Sequence, residues 1–218
     1  MRRSHLACLL VVAKAPVPGR SKTRLCPPCT PEGAARLAEA ALADTLETVA
    51  ATPVARRVLV LEGTAGRWLP GGFEVIAQRG EGLAERLANA FVDAGGPGLL
   101  IGMDTPQVTP ALLERGLCAL RHPSTDAVIG PARDGGYWAI GLRRPDPEVF
   151  RDIPMSTPGT LIAQRRRLRA LGLRTARLPQ RRDVDRIGDA LAVAASSPRS
   201  RFARTLREVL TPPTEATA

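Results

Sequence analysis

Apolar runs alternate with polar stretches rich in Pro and Gly along the whole chain, and the period of the apolar positions changes from run to run. Leu6 to Ala13 is a short unbroken apolar run, the pattern of a strand covered on both faces. After a polar loop, Thr30-Pro31-Glu32 supplies a capping hydroxyl, a first-turn proline and an acid. Ala38, Leu42, Leu46 and Val49 then recur at helical spacing, which predicts a helix over Pro31 to Ala51. Arg57 to Leu61 and Phe73 to Ala77 read as strands. Gly80-Glu81-Gly82 opens a helix whose apolar face is Leu83, Leu87, Ala90 and Phe91. Gly98 to Met103 is a buried strand by the same criterion as the first, followed by a helix from Thr109-Pro110. Asp126 to Gly130 and Tyr137 to Leu142 read as two close strands. Beyond them the pattern predicts a helix from about Thr157 to Leu171, a strand over Leu173 to Leu178, and helices over Arg186 to Ala195 and Ser200 to Leu210.

Strands alternating with helices predict an α/β fold: a three-layer α/β/α sandwich around a mostly parallel sheet, with an antiparallel element where the two close strands meet. In such sheets ligands bind beyond the carboxyl ends of the strands. That rule gathers the loop after the first strand, the turn at Asp104 and the loop Asp183 to Asp185 around one crevice.

The 218 residues suit one substantial core, so a single domain is expected over 1–210, with a disordered Pro- and Thr-rich tail over 211–218. A formal charge of +10 favours anionic partners, but an aromatic content of 3% leaves few rings for base stacking, which weighs against nucleic acid. The densest basic stretch, Arg165 to Arg186, keeps RNA binding or nucleotide sensing as the rival of another class. Cys26-Pro27-Pro28-Cys29 has the spacing of a redox or zinc pair, but with no second pair and no neighbouring His it reads as two incidental thiols. Met1-Arg2-Arg3 before the first apolar run superficially resembles a secretory leader. The run is too short, however, and Lys14 stands where small cleavage residues belong. With no run of membrane-span length, a cytoplasmic protein is expected.

The chemistry concentrates at three places. The loop after the first strand carries Lys14, Gly19, Arg20, Lys22 and Arg24, a grip for phosphate oxygens. Of 31 basic residues, 29 are arginine, and the only two lysines, Lys14 and Lys22, both lie in this loop. Neither a Walker loop nor GxGxxG fits it, since Ser21 precedes Lys22 and Pro16 stands where the first glycine belongs. Asp104, placed just past a buried strand by a Thr-Pro turn, suits Mg²⁺, and Asp183 and Asp185 add carboxylates. The glycine-rich turn Asp134-Gly135-Gly136-Tyr137-Trp138 allows close backbone approach to a substrate. Gly135, Gly136 and Tyr137 are therefore candidate contacts, and Asp134 a candidate base.

Lys14…Gly19-Arg20-Ser21-Lys22-Thr23-Arg24-Leu25, Gly102-Met103-Asp104-Thr105-Pro106, Gly130-Pro131…Asp134-Gly135-Gly136-Tyr137-Trp138 and Asp183-Val184-Asp185 occur in that order. Together they resemble the GT-A superfamily of nucleotide-diphospho-sugar transferases, most closely a transferase family labelled selenodomain-associated. More distantly the chain is similar to 2-phospholactate and molybdopterin guanylyltransferases. The resemblance implies that Lys14, Arg20, Lys22 and Arg24 hold nucleotide phosphates and that Asp104, Asp183 and Asp185 hold Mg²⁺ or Mn²⁺. Asp104, Lys22 and Asp134 would then carry the chemistry between a nucleotide or nucleotide sugar and a small-molecule acceptor. The usual glycosyltransferase signature, Asp-x-Asp at the central strand, is replaced by Asp104-Thr105-Pro106. Glycosyl transfer from a nucleotide sugar and nucleotidyl transfer from a triphosphate both stay open.

Overall fold

The computed structural model describes residues 7–211. Seven strands form one sheet: β1 (Cys8–Lys14), β2 (Arg56–Glu62), β3 (Glu74–Ala77), β4 (Gly98–Gly102), β5 (Ala127–Pro131), β6 (Tyr137–Leu142) and β7 (Thr175–Arg177). Their order across the sheet is β3-β2-β1-β4-β6-β5-β7. Only β6 runs against its neighbours, pairing antiparallel with β4 and with β5; every other pairing is parallel. The reversal of β6 is the expected antiparallel element, and it has a consequence for function. It brings the turn from Pro131 to Tyr137 to the edge where β1 and β4 end.

The described residues form six α-helices, α1 (Pro31–Ala51), α2 (Gly82–Ala94), α3 (Pro110–Arg121), α4 (Thr160–Ala170), α5 (Ile187–Ser196) and α6 (Arg201–Leu210); the first four pack on the sheet. α1 keeps the predicted limits because its signals are local: Thr30 Oγ1 accepts from Gly33 N at 3.1 Å and Pro31 occupies the first turn. Alternation along β1 sends Leu9, Val11 and Ala13 to one face, against Leu42, Leu46 and Val49 of α1 and Leu113 and Leu117 of α3. Cys8 and Leu10 face the other way, toward Leu87, Ala90 and Phe91 of α2 and Leu168 of α4. Phe91 stacks on Phe150 with ring centroids 5.9 Å apart. Each fully buried Leu or Phe in these layers contributes roughly 1.5–3 kcal/mol. A third cluster joins the outer side of α1 to α5 and α6 through Leu37, Val193, Phe202 and Leu206, and it also seats Leu25 and Val184. The two loops that carry the cations and the Asp183–Asp185 carboxylates are thus pinned by buried apolar anchors.

Most predicted limits shift by a residue or two, and three of the shifts have a clear cause. The fourth helix starts at Thr160, because Thr157 to Gly159 form a strap packed on the Asp134–Gly136 turn. The seventh strand shortens to Thr175–Arg177, since it pairs only with the first three residues of β5. β5 begins at Ala127, because Asp126 instead caps the sheet edge by binding Arg174. Leu6 and nearly all of the expected tail, 212–218, lie outside the described residues. Among the described residues no helix is long and apolar enough to cross a membrane.

Candidate active site

A crevice of about 780 Å³ opens where β1 and β4 end, and most of the expected site residues line it. The first loop is a closed turn: Val17 N donates to Ser21 Oγ at 2.9 Å, and Arg20 N and Ser21 N donate to Val17 O at 3.1 and 2.9 Å. Past this turn Lys22 adopts φ 50°, the left-handed region in which a side chain is uncommon. The side chain is carried inward and is only 12% exposed; its Nζ pairs with Asp104 Oδ1 at 2.7 Å and donates to the Val184 carbonyl. Val184 N in turn donates to Asp104 O at 2.9 Å. One ammonium therefore ties the basic loop, the end of β4 and the Asp183–Asp185 loop together.

The other cations divide. Arg24 pairs with Asp185 at 2.9 Å, and Arg20 is exposed on the crevice wall. Lys14 lines the rim but turns to Glu62 at 3.2 Å, a carboxylate that it shares with Arg86. Gly19, at φ 73°, shapes the turn without lining the crevice.

Four aspartates line the crevice: Asp104, Asp134, Asp183 and Asp185. Asp104 and Asp185 have cationic partners, whereas Asp134 and Asp183 make no ion pair among the described residues. Asp134 Oδ1 accepts from Gly136 N at 2.8 Å. Burial, then the nearby negative charges of Asp134 and Asp104, push the Asp183 carboxyl up to about 6, with Lys22 opposing. Among the described residues no three His, Cys, Asp or Glu side chains are drawn together as a formed metal centre, so Asp104, Asp183 and Asp185 share the crevice without converging.

The glycine turn has two faces. Gly136 and Tyr137 line the crevice, but Gly135 faces the strap: at φ +93°, a Cβ there would stand 2.2 Å from Pro158 O. Leu161 N also donates to Gly135 O at 2.8 Å. The Tyr137 hydroxyl donates to Gln164 Oε1 at 3.1 Å, and burial pushes its phenol far above its ordinary range. That hydroxyl is an anchor, and it is the ring that borders the crevice.

Several lining residues escaped the sequence reading. Gln78 Nε2 reaches across the strand ends to Ala13 O at 2.6 Å and Val60 O at 3.2 Å. Arg86 stands on α2, one turn after Gly82. Met155, Ser156, Thr157 and Thr160 form the far wall. The Pro/Ser/Thr cluster Pro154 to Pro158 is a loop signal that could have flagged this wall. Cys26 and Cys29 are both free thiols, Cys29 buried and Cys26 half-buried. The arginine-dense stretch is partly neutralised, by Arg167–Glu148, Arg174–Asp126 and Arg182–Asp189 pairs. A second hollow, of about 1110 Å³, lies at the opposite end of the sheet between Pro53, Pro97 and Arg143, and its lining holds no carboxylate among the described residues.

Strand order, the reversed β6 and a crevice with cations facing carboxylates define a fold of the nucleotide-diphospho-sugar transferase type. A family model described as "Uncharacterized protein conserved in bacteria (DUF2064)" matches residues 42–157, just over half of the chain, and the chain belongs to that family. A crystal structure from Desulfovibrio desulfuricans G20, provisionally named a nucleotide-diphospho-sugar transferase, is 30% identical with a TM-score of 0.82; the match covers 93% of this chain and 94% of that one. A cytidylyltransferase from Leptospira borgpetersenii shares the fold at 13% identity and TM-score 0.57, over 94% of each chain. So does the mannosyltransferase PcManGT from Pyrobaculum calidifontis, solved with GDP-Man and Mn²⁺, at 13% identity and TM-score 0.55, over 97% of this chain and 67% of that one. No curated protein matches the chain. These neighbours support the expectation of a nucleotide-utilising transferase.

Proposed function

We propose that this chain is a divalent-metal-assisted glycosyltransferase that takes a nucleoside-diphosphate sugar as donor. The observation that carries this reading is the gathering of Lys22, Arg24 and Arg20 with Asp104, Asp134 and Asp183 in the lining of one crevice. The 30% identical relative's provisional name supports the same choice of donor.

Mg²⁺ or Mn²⁺ fits the donor set. Carboxylate oxygens are hard ligands, and Asp104, Asp183 and Asp185 all line the same crevice. Asp104 and Asp183 would hold it, with Asp185 joining when Arg24 moves onto phosphate. When bound, the metal supplies Lewis-acid charge to the departing diphosphate. Lys22, Arg24 and Arg20 grip the diphosphate oxygens and stabilise the charge that grows there as the glycosidic bond breaks. Asp134, without an ion-pair partner among the described residues and held by Gly136 N, takes the proton of the attacking hydroxyl.

A second reading rests on one specific feature. Asp104-Thr105-Pro106 presents a single carboxylate at the end of β4, which suits nucleotidyl transfer from a triphosphate with release of pyrophosphate. Phosphorus NMR of the products separates the two. Release of a nucleoside diphosphate supports glycosyl transfer; pyrophosphate release from a triphosphate replaces that reading with the second.

A further inference from the structure

The crevice is electrically lopsided. Among the described residues its cations come from neighbouring elements: Lys14 at the end of β1, Arg20, Lys22 and Arg24 on the first loop, and Arg86 on α2. The other side is built from Asp134, Tyr137, Met155, Ser156, Thr157 and Thr160, with no Lys or Arg lining it among the described residues. Its hydroxyls are already turned inward: Thr160 Oγ1 donates to Pro154 O at 2.6 Å and accepts from Thr157 N at 3.1 Å, and Thr157 Oγ1 reaches Pro154 O at 3.3 Å. Ser156, held at φ 58° and exposed just before the strap, is the hydroxyl left over. The strap is tied to the turn, because Leu161 N donates to Gly135 O at 2.8 Å and Pro158 O lies against Gly135.

A phosphate group arriving on this side would find no lining counter-charge there among the described residues, and it would face the Asp134 and Asp183 side chains, which line the same crevice. We infer that the acceptor is a small uncharged hydroxyl compound, polar at the reacting oxygen and partly apolar where it meets Tyr137 and Met155, rather than a phosphorylated one. This rests on the donor reading above. In the step it implies, the acceptor oxygen forms a bond to the anomeric carbon and the bond from that carbon to the diphosphate oxygen breaks. The electron pair leaves with the nucleoside diphosphate, and the acceptor proton passes to Asp134.

The test uses the full chain, Mg²⁺, a nucleotide sugar labelled in the sugar, and a bacterial small-molecule extract split by anion exchange into unretained and retained fractions. Donor binding is measured first, on its own; a chain that binds no nucleotide sugar fails the donor reading, and the inference falls with it. With donor bound, labelled product is expected from the unretained fraction, at least ten times more than from the retained one. Product mainly from the retained fraction overturns the inference and leaves the donor reading intact. No product from either fraction also overturns it, because a small uncharged acceptor would be present there. Ser156→Lys, which puts a cation just before the strap, is expected to move product formation toward the retained fraction; an unchanged ratio would contradict the charge argument.

Discussion

Lys22 Nζ and Asp104 Oδ1 stand 2.7 Å apart, although 82 positions separate the two residues in the chain. The ammonium sits where a cation for Asp104 is needed, and the same ammonium is needed on phosphate once a metal arrives. The pair is therefore expected to part on loading. Only two lysines exist, so the exchange can be watched directly by carbon NMR of the ¹³C-dimethylated chain. Mg²⁺ with nucleotide should shift the Lys22 signal strongly. A Lys22 signal that stays put while nucleotide binds would contradict the exchange.

Asp104→Asn removes the carboxylate to which Lys22 is tied and which the metal needs. Turnover is expected to fall by roughly 10²–10³ with the melting transition retained, because the side chain is half exposed. Full turnover in a folded variant would remove Asp104 from the account.

Asp134→Asn keeps an acceptor for Gly136 N but not a base. Turnover should drop about 10²–10⁴-fold, while nucleotide affinity changes by no more than about twofold. A parallel loss of affinity would mean that Asp134 acts in binding instead.

Two carboxylates give pH dependences of opposite sign. Arg174, through its side chain and then its backbone N–H, holds the Asp126 carboxyl down at about 2, below its ordinary 3.8. Its stabilisation is present above pH 4 and is lost as pH falls through about 2. Asp126→Asn should thus melt lower than the parent at pH 7, with the difference closing toward pH 2. Asp183, at about 6, lies above its ordinary value, so its ionisation opposes folding as pH rises from about 4 through 6. Without metal, Asp183→Asn should melt higher than the parent at pH 8 and alike at pH 4. Thermal scans at three pH values test both signs.

Gly135→Ala forces a methyl to within 2.2 Å of Pro158 O at a backbone angle that favours glycine. Denaturant titration should show a loss of about 2–4 kcal/mol, the range of overpacking and backbone strain together. A neutral substitution would mean that the strap is free to move.

What could be read ahead of the structure follows from how far each signal reaches. The limits of α1 were legible because Thr30, Pro31 and the apolar spacing are all local. The crevice was legible in outline because parallel strands place the Lys22 loop, Asp104 and Asp183 at one end. The partners were not. That Lys22 bridges Asp104 and the Val184 carbonyl, or that Gln78 spans two strands to Ala13, depends on register between distant segments. Thr157-Pro158 imitates a helix start, and only the contact of Pro158 with Gly135 shows why the chain waits until Thr160.

The central claim is tested most directly by calorimetric titration of nucleoside-diphosphate sugars and nucleoside triphosphates, each with Mg²⁺ and with EDTA. The account predicts that one nucleotide sugar binds with Mg²⁺ and loses most of its affinity in EDTA. A triphosphate bound in preference to its sugar derivative would contradict the choice of donor. No binding by either class would contradict the phosphate grip itself.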